Sequence, residues 1–440
     1  MTNDGMTKKS PERRNYISRR SFLKRASVGL AAPLIVQASV LGREGSLPPS
    51  ERIGMGFIGL GGRGSQTMPS FVLSTRSECI AVCDVSRERA GAAREKMGGQ
   101  CALYGDAREL IARPDIDAVS IATPEHWHVL LSIAAMKDGK DVYCEKPLSA
   151  TVKEGRALAD AAKRYSRVFL HGTHQRSFGG FRHACELALN GYLGKVHTIR
   201  VCERGTGQMP LKPVQPIPPD LDYDMWLGPA PYTPHVGQPM RAWYCSSDYG
   251  AGYISNCGVH PLDIAQWGNG TDRTGPVEIE GTGKFPTEGY GDTVMSWEVL
   301  MKYANGVRLH FKSTDQGLFY REVGARFEGT EGWSFAYSNA VSEDAEPKSL
   351  LRVKLRPDDI HLVESHDHAL HFLECVRTRR ETIAPAEVAH RSTTLCLISD
   401  ICLRLGRKLR WDPDRERFIG DDEANRMLSR PMREPWSLMA

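Results

Sequence analysis

The chain has little that would staple it, anchor it or charge it. Its eleven cysteines are scattered over 440 residues and no two form a C-x-x-C pair. An odd set of dispersed thiols excludes a disulfide scaffold, and the missing paired ligands exclude a zinc ribbon. Most sit in apolar runs such as ECIAVCD and LCLISDICL, where cysteine acts as a small buried hydrophobe. No stretch is long and apolar enough for a stable membrane helix: the run from Ala26 to Gly42 is short, mildly hydrophobic and contains Pro33. There is no internal repeat and no low-complexity domain. Positive charge is confined to the start. Residues 1–45 hold nine Lys/Arg against three acids, a local +6, so the overall +4 leaves −2 for the rest. That body has no electrostatic reason to bind nucleic acid.

What is present is ordinary globular composition, 41% hydrophobic and 25% charged, at a length that suits two domains. From residue 52 short apolar runs (RIGMGFIG, ECIAVCD, AVSIATP, DVYCEKP, VFLHG) alternate with helical stretches (RERAGAAREKM, HWHVLLSIAAMKDG, KEGRALADAAKRY). This pattern predicts an α/β, doubly wound parallel sheet covered on both faces. Past residue 195 the runs lengthen and several alternate, with turns at ANG (304–306) and GTEG (329–332), which predicts a large, open, mostly antiparallel sheet. A helical region is expected near 366–406 and a polar tail after it. The expected organisation is a leader and linker over 1–45, a Rossmann dinucleotide-binding domain over 46–175, and a substrate and oligomerisation α/β domain over 176–440.

Gly59-Leu60-Gly61-Gly62-Arg63-Gly64 fits G-x-G-x-x-G between a strand and a helix, and Asp84 follows 20 residues after Gly64. Gly59 allows the tight turn, Gly61 a close approach to a pyrophosphate, and Gly64 close helix packing. Gly62 and Arg63 complete the turn, and the helix N-terminus faces the phosphates. Asp84 would accept hydrogen bonds from the adenine ribose. A carboxylate there favours NAD, while Arg87 nearby keeps NADP open.

CEKPLS (144–149), placed after such a unit, resembles the glucose–fructose oxidoreductase / inositol dehydrogenase (Gfo/Idh/MocA) family. ATPEHWH (122–128) and GYISNCGVHPLD (252–263) are similar to two further family segments. DYDMWLGPAP, FLECVRTRR, HRSTT and EANRMLSRPMREPW resemble a secreted branch of it. The resemblance implies a tightly bound NAD contacted also by Thr123, Pro124, Glu145 and Lys146. It implies that Lys146 stands between nicotinamide and substrate hydroxyl, that Pro147 fixes the turn aiming it, and that His260 is the general base. Asp263 would orient or neighbour His260, Glu145 would hold the loop, and Gln175 would contact substrate or ribose. Relatives pair through the open sheet, which implies a homodimer or homotetramer.

The chemistry is coherent. Histidine titrates near neutrality and can take a hydroxyl proton, while a lysine stabilises the developing alkoxide. One residue departs from the pattern: Asn256 stands where many relatives have Asp, and it cannot raise the basicity of His260 by charge. Pro261 directly after His260 predicts a helix start at the proline, so simple i, i+4 geometry between 256 and 260 is not assumed. His126 and His128 flank Trp127 near the expected nicotinamide and fit a structural or supporting role somewhat better than direct contact, with both left open. Arg241, Trp243, Tyr244 and Tyr249 form an aromatic loop suited equally to stacking on a sugar ring or to packing the loop itself. His366, Asp367, His368 and His371 look metal-like but fit a helix start, and no metal is expected.

SRRSFLK (18–24) matches the twin-arginine export pattern, with cleavage plausible after Ala38. That pathway carries folded proteins, which implies a periplasmic or secreted enzyme that acquires its cofactor before export. Three readings follow: an oxidoreductase on a secondary hydroxyl of a sugar, cyclitol or glycoside; a lyase or glycosidase using transient oxidation without net redox change; or a sugar- or nucleotide-binding protein with a decayed site.

Overall fold

The first six strands all open at one edge, and that edge positions the site. The computed structural model describes residues 51–73, 76–237, 242–315, 323–337 and 343–438; the expected leader and Arg241 lie outside them. β1 (Ile53–Ile58), β2 (Ser77–Cys83), β3 (Ala102–Tyr104), β4 (Ala118–Ile121), β5 (Asp141–Cys144) and β6 (Phe169–His171) pair in the order β3-β2-β1-β4-β5-β6, all parallel. Every residue of β1, β4, β5 and β6 is buried, as unbroken apolar runs require in a sheet covered on both faces. The covering helices here include α1 (Gly62–Val72), α2 (Arg87–Lys96), α3 (Ala107–Ile111), α4 (Glu125–Lys137) and α5 (Val152–Tyr165). The strand order reverses between β1 and β4, so a crevice opens at their carboxyl ends.

α6 (Gly179–Leu189) leads into a second sheet of β7 (Val196–Arg204), β8 (Glu278–Lys284), β9 (Ser296–Lys302), β10 (Arg308–Thr314), β11 (Gly324–Gly329), β12 (Trp333–Tyr337), β13 (Glu343–Glu346), β14 (Leu409–Asp412) and β15 (Arg417–Phe418). Its order is β13-β12-β11-β7-β10-β9-β8-β14-β15, with β7 and β10 parallel and the other neighbours antiparallel. Val299, Met301, Leu309, Phe311, Ala325 and Phe327 face the core, whereas Arg200 and Arg326 on the other face each meet Glu328 at 3.0 Å. The helices of this half include α7 (Tyr223–Leu227), α8 (Tyr253–Asn256), α9 (Val259–Gly268), α10 (His368–Thr378), α11 (Ala386–Leu405) and α12 (Asp422–Arg426). α11 packs on α5 as well as on β8 and α9, so one long helix serves both sheets.

Two expectations are corrected. β3 and α3 escaped the sequence reading because three and five residues are too short to show a period. The stretch after 406 is not a polar tail. Leu409, Trp411 and Phe418 are buried and add β14 and β15 to the sheet edge, although charged residues around them mask the pattern.

Candidate active site

The glycine turn joins β1 to α1 with little room to spare. Gly59 has φ +83°, and a Cβ there would lie 2.7 Å from the backbone of Ala122 and Thr123. A Cβ on Gly64 would stand 1.9 Å from the Gly59 carbonyl oxygen, so only glycine lets α1 lie this close to the turn. In front of Gly62 the space is open, and α1 starts with no side chain capping it. Its first-turn amides are therefore left for an anion. Asp84 follows β2: Oδ2 accepts from the Leu60 amide at 2.6 Å and Oδ1 from the Ser86 amide at 2.9 Å. Burial pushes its pKa up against these two bonds. Each oxygen retains a lone pair for a ribose hydroxyl. The cation on the cleft wall beside it is Arg89 rather than Arg87.

From here a cleft of about 790 Å3 runs along the crevice, within the range of small-molecule and cofactor sites. Gly59, Gly61, Gly62, Arg63, Asp84, Thr123, Pro124, Glu145, Lys146, Tyr244 and Asn256 all line it. The open glycine turn, the uncapped helix and the ribose-facing carboxylate fit a dinucleotide.

Glu145, 3% exposed, directly follows β5 at the centre of a charged knot. Its Oε1 accepts from Arg63 Nε at 2.9 Å and from the Tyr143 hydroxyl at 3.0 Å, and His174 Nε2 lies 3.6 Å away. Arg63 also meets His174. Burial alone would raise the Glu145 pKa, but His174, Arg63 and Lys146 hold it well below the usual carboxylate range. Glu145 is thus tied to Arg63, Tyr143 and His174, and Arg63 is spent on it. The Lys146–Pro147 peptide is cis. Lys146 Nζ donates to the Asn256 carbonyl at 2.5 Å and approaches Asn256 Oδ1 at 3.5 Å.

His260 does not reach the cleft wall among the described residues. It is half-buried, and among the described residues its Nδ1 has no hydrogen-bond partner. Burial, then the charges of Lys146 and His174, hold its pKa well below the usual value, so the ring is neutral. Asn256 closes α8 and His260 is the second residue of α9, which begins at Val259, two residues before Pro261. The helix thus starts two residues before the expected proline, and what interrupts the regular ladder between 256 and 260 is the junction at 257–258, where the His260 amide donates to the Cys257 carbonyl at 3.1 Å.

Three supporting assignments change. Asp263 does not orient His260: its oxygens accept from Arg176 Nε at 2.7 Å, Arg176 Nη2 at 2.9 Å and Ser392 at 2.7 Å, all buried. An arginine buried in the same core outcompetes the histidine for that carboxylate. His126 is packed away from the cleft against Trp226 and Tyr249, with Nε2 on the Trp226 carbonyl at 3.0 Å, and burial drives its pKa down to about 3. Gln175 lies on the turn His174–Ser177, buried and off the cleft wall, with Oε1 unpartnered. His128 is the supporting histidine, with Nδ1 on the Pro147 carbonyl at 2.7 Å and Nε2 on that of Thr123 at 2.8 Å. The metal-like run is spent otherwise: Asp367 caps α10, His368 meets Ser177 and the His171 carbonyl, and His371 accepts from the Ile383 amide.

Two sequence profiles match this architecture: an oxidoreductase family NAD-binding Rossmann fold over residues 53–173, and an oxidoreductase family C-terminal alpha/beta domain over 200–438. The chain belongs to the Gfo/Idh/MocA oxidoreductase family. It is 32% identical over 169 residues to a myo-inositol 2-dehydrogenase of Thermotoga maritima, covering 38% of this chain and 47% of that relative. It is 33% identical over 171 residues to a glycosyl hydrolase family 109 protein of Shewanella sp. strain MR-4, covering 34% and 37%. The matches thus span less than half the length of these curated relatives. The crystal structure of an aldose-aldose oxidoreductase from Caulobacter crescentus, complexed with glycerol, superposes with TM-score 0.62 at 20% identity, over 82% of this chain and 99% of that one.

The family's second sheet brings in residues that sequence reading missed. Glu203 on β7 is 3% exposed, accepts from the Arg204 amide at 2.8 Å, and its pKa is raised by burial against the pull of Arg204 and Lys146. Arg204 donates to the Tyr253 hydroxyl at 2.6 Å, and Tyr253 packs on Tyr244. Cys257 lies within the fields of Lys146, Glu203 and Arg204. A lone Glu-Arg at a strand end carries no local signal; only pairing with β10 and β11 brings it to the site.

Proposed function

We propose that this chain is an exported NAD-dependent oxidoreductase acting on a secondary hydroxyl of a sugar, cyclitol or glycoside. The observation that carries this is one cleft holding both the glycine turn with Asp84 and, at its other end, Lys146 bonded to Asn256. The first-turn amides of α1 hold the pyrophosphate, and Asp84 the adenine ribose, which favours NAD; Arg89 is the group that would meet a 2′-phosphate. The bound nicotinamide supplies a hydride acceptor. Lys146 donates to the substrate oxygen and stabilises it as it becomes an alkoxide. A ring nitrogen of neutral His260 accepts the hydroxyl proton once substrate fills the space between them. Tyr244 and Trp243 offer ring faces to a sugar.

A second reading has support of its own: transient oxidation followed by elimination, giving a lyase or glycosidase with no net redox change. It is favoured by Asn256 in place of Asp and by similarity to a glycosyl hydrolase family 109 protein. A decayed binding protein is disfavoured by the intact Glu145-Lys146-Pro147 segment and His260.

Export by the twin-arginine route rests on SRRSFLK, and a homodimer or homotetramer on the family resemblance. The working division assigns residues 46–175 to the cofactor and 176–440 to substrate and assembly. The test is spectroscopic. A panel of sugars is added to the purified chain and the reduced-nicotinamide absorbance recorded. Lasting reduction supports the dehydrogenase, product without lasting reduction the lyase or glycosidase, and neither the binder.

A further inference from the structure

The 423–436 segment, which the functional reading leaves unused, ends against the dinucleotide cleft. Beyond α12 the chain runs back across the molecule as a strap. The Leu428 carbonyl accepts from the Lys153 amide at 3.1 Å, and Arg430 Nη1 donates to the carbonyls of Ser247 and Asp248 at 2.8 and 2.9 Å. Arg433 is the main anchor. Its amide donates to the Pro229 carbonyl at 2.9 Å, Nε to the Gly228 carbonyl at 2.9 Å, and Nη1 to Asp224 at 2.6 Å.

After Arg433 the hold passes to side chains. The Trp436 ring meets Trp127 of α4 edge-on at 4.6 Å, and the Arg108 guanidinium of α3 lies over it, 5.4 Å from the centroid. Leu438 packs against the core cluster that includes Leu110, Ile111 and Leu131. Trp127 is itself fixed, its Nε1 donating to the Met225 carbonyl at 3.1 Å. Pro435, Trp436, Ser437 and Leu438 line the same cleft as Asp84 and Arg89. They stand at the end served by α3, the helix after β3, which is the adenosine side of a Rossmann sheet.

We propose that residues 434–438 are part of the cofactor site: they wall its adenosine half, and their displacement sets the rate at which the dinucleotide leaves. This rests on the dinucleotide reading above and adds what makes the cofactor resident. Arg433 bonds main-chain carbonyls and stays put, while the Trp436 ring is held by aromatic contact and a cation over its face, a contact that can open without unfolding the strap. A bound adenosine behind Trp436 must wait for that opening.

The test measures release rather than turnover. The full chain, Trp436→Ala, Arg433→Ala and a chain stopped after Arg433 are loaded with NADH. Loss of bound-NADH fluorescence is then followed after mixing with excess NAD, and melting curves confirm that each variant is folded. Release at least tenfold faster in Trp436→Ala and in the shortened chain is expected. Arg433→Ala, which frees the anchor, should lie between them and the parent, or match them. Equal release rates in the parent and in folded Trp436→Ala overturn the inference while leaving the dinucleotide reading intact. A parent that takes up no dinucleotide overturns both.

Discussion

Lys146 and His260 stand in each other's field, and that is testable one side chain at a time. Replacing Lys146 by alanine removes the donor to the substrate oxygen but touches neither the glycine turn nor Asp84. Turnover should fall about 10²–10⁴-fold while bound NAD is retained, read by activity and by cofactor content. The same variant removes a positive charge that helps to hold the His260 pKa down, second to burial. The His260 titration, followed by NMR of its ring protons, should therefore move to higher pH. An unmoved titration would separate the two residues and sink the shared-site reading. Lys146 and His260 were legible because their segments resemble family motifs. Arg89 and Glu203 were not, since single charged residues in strands and helices look alike until the fold places them.

Among the elements, α9 carries both the candidate base and Asp263, which the sequence reading assigned to that base and the fold pairs with Arg176 instead. Asp263→Asn takes the bidentate carboxylate from buried Arg176, leaving it only Asp272 at 3.3 Å as an anionic partner among the described residues, and should cost about 3–5 kcal/mol, seen as a lowered melting temperature. The His260 titration should stay where it is, which a positioning role for Asp263 would not allow. The join of β1 and α1 is tested by Gly64→Ala. Its methyl would meet the Gly59 carbonyl, so α1 must shift off the turn, with a loss of about 1–3 kcal/mol and weaker dinucleotide binding by titration. The long regular elements were readable from periodicity: VHTIRVCER is β7 from end to end. β3, β14 and β15 are short, and they exist because neighbouring strands offer them a ladder.

At the scale of the whole molecule, α5 and α11 are tied across the sheets by Arg156. Its guanidinium meets Glu387 at 2.7 Å and Glu416 at 2.6 Å. Burial would raise both carboxyls, but the bonds from Arg156, with Arg391 on Glu387 and His390 on Glu416, draw each down to about 2. Unfolded glutamate titrates near ~4.3. A carboxylate depressed on folding contributes stability that is complete above that value and lost as the pH falls towards 2. The melting temperature should therefore drop across this window, and Arg156→Met should flatten the drop. If the pH profile of that variant matches the parent, the tie contributes nothing.

By itself the sequence determined the alternation of strand and helix, the glycine turn with its acid, and the Glu145-Lys146-Pro147 segment, because periodicity, backbone conformation and local motifs are written in neighbouring residues. The tertiary structure alone decided that Asp263 serves Arg176, that His126 is packed in aromatic rings, that Arg89 lines the cleft while buried Glu203 lies in the field of Lys146, and that Pro435 to Leu438, some 350 residues from Asp84, line the same cavity. Such pairings depend on which buried charge finds which partner when distant segments meet. That competition is settled by burial and geometry in the folded chain, and no local pattern records it.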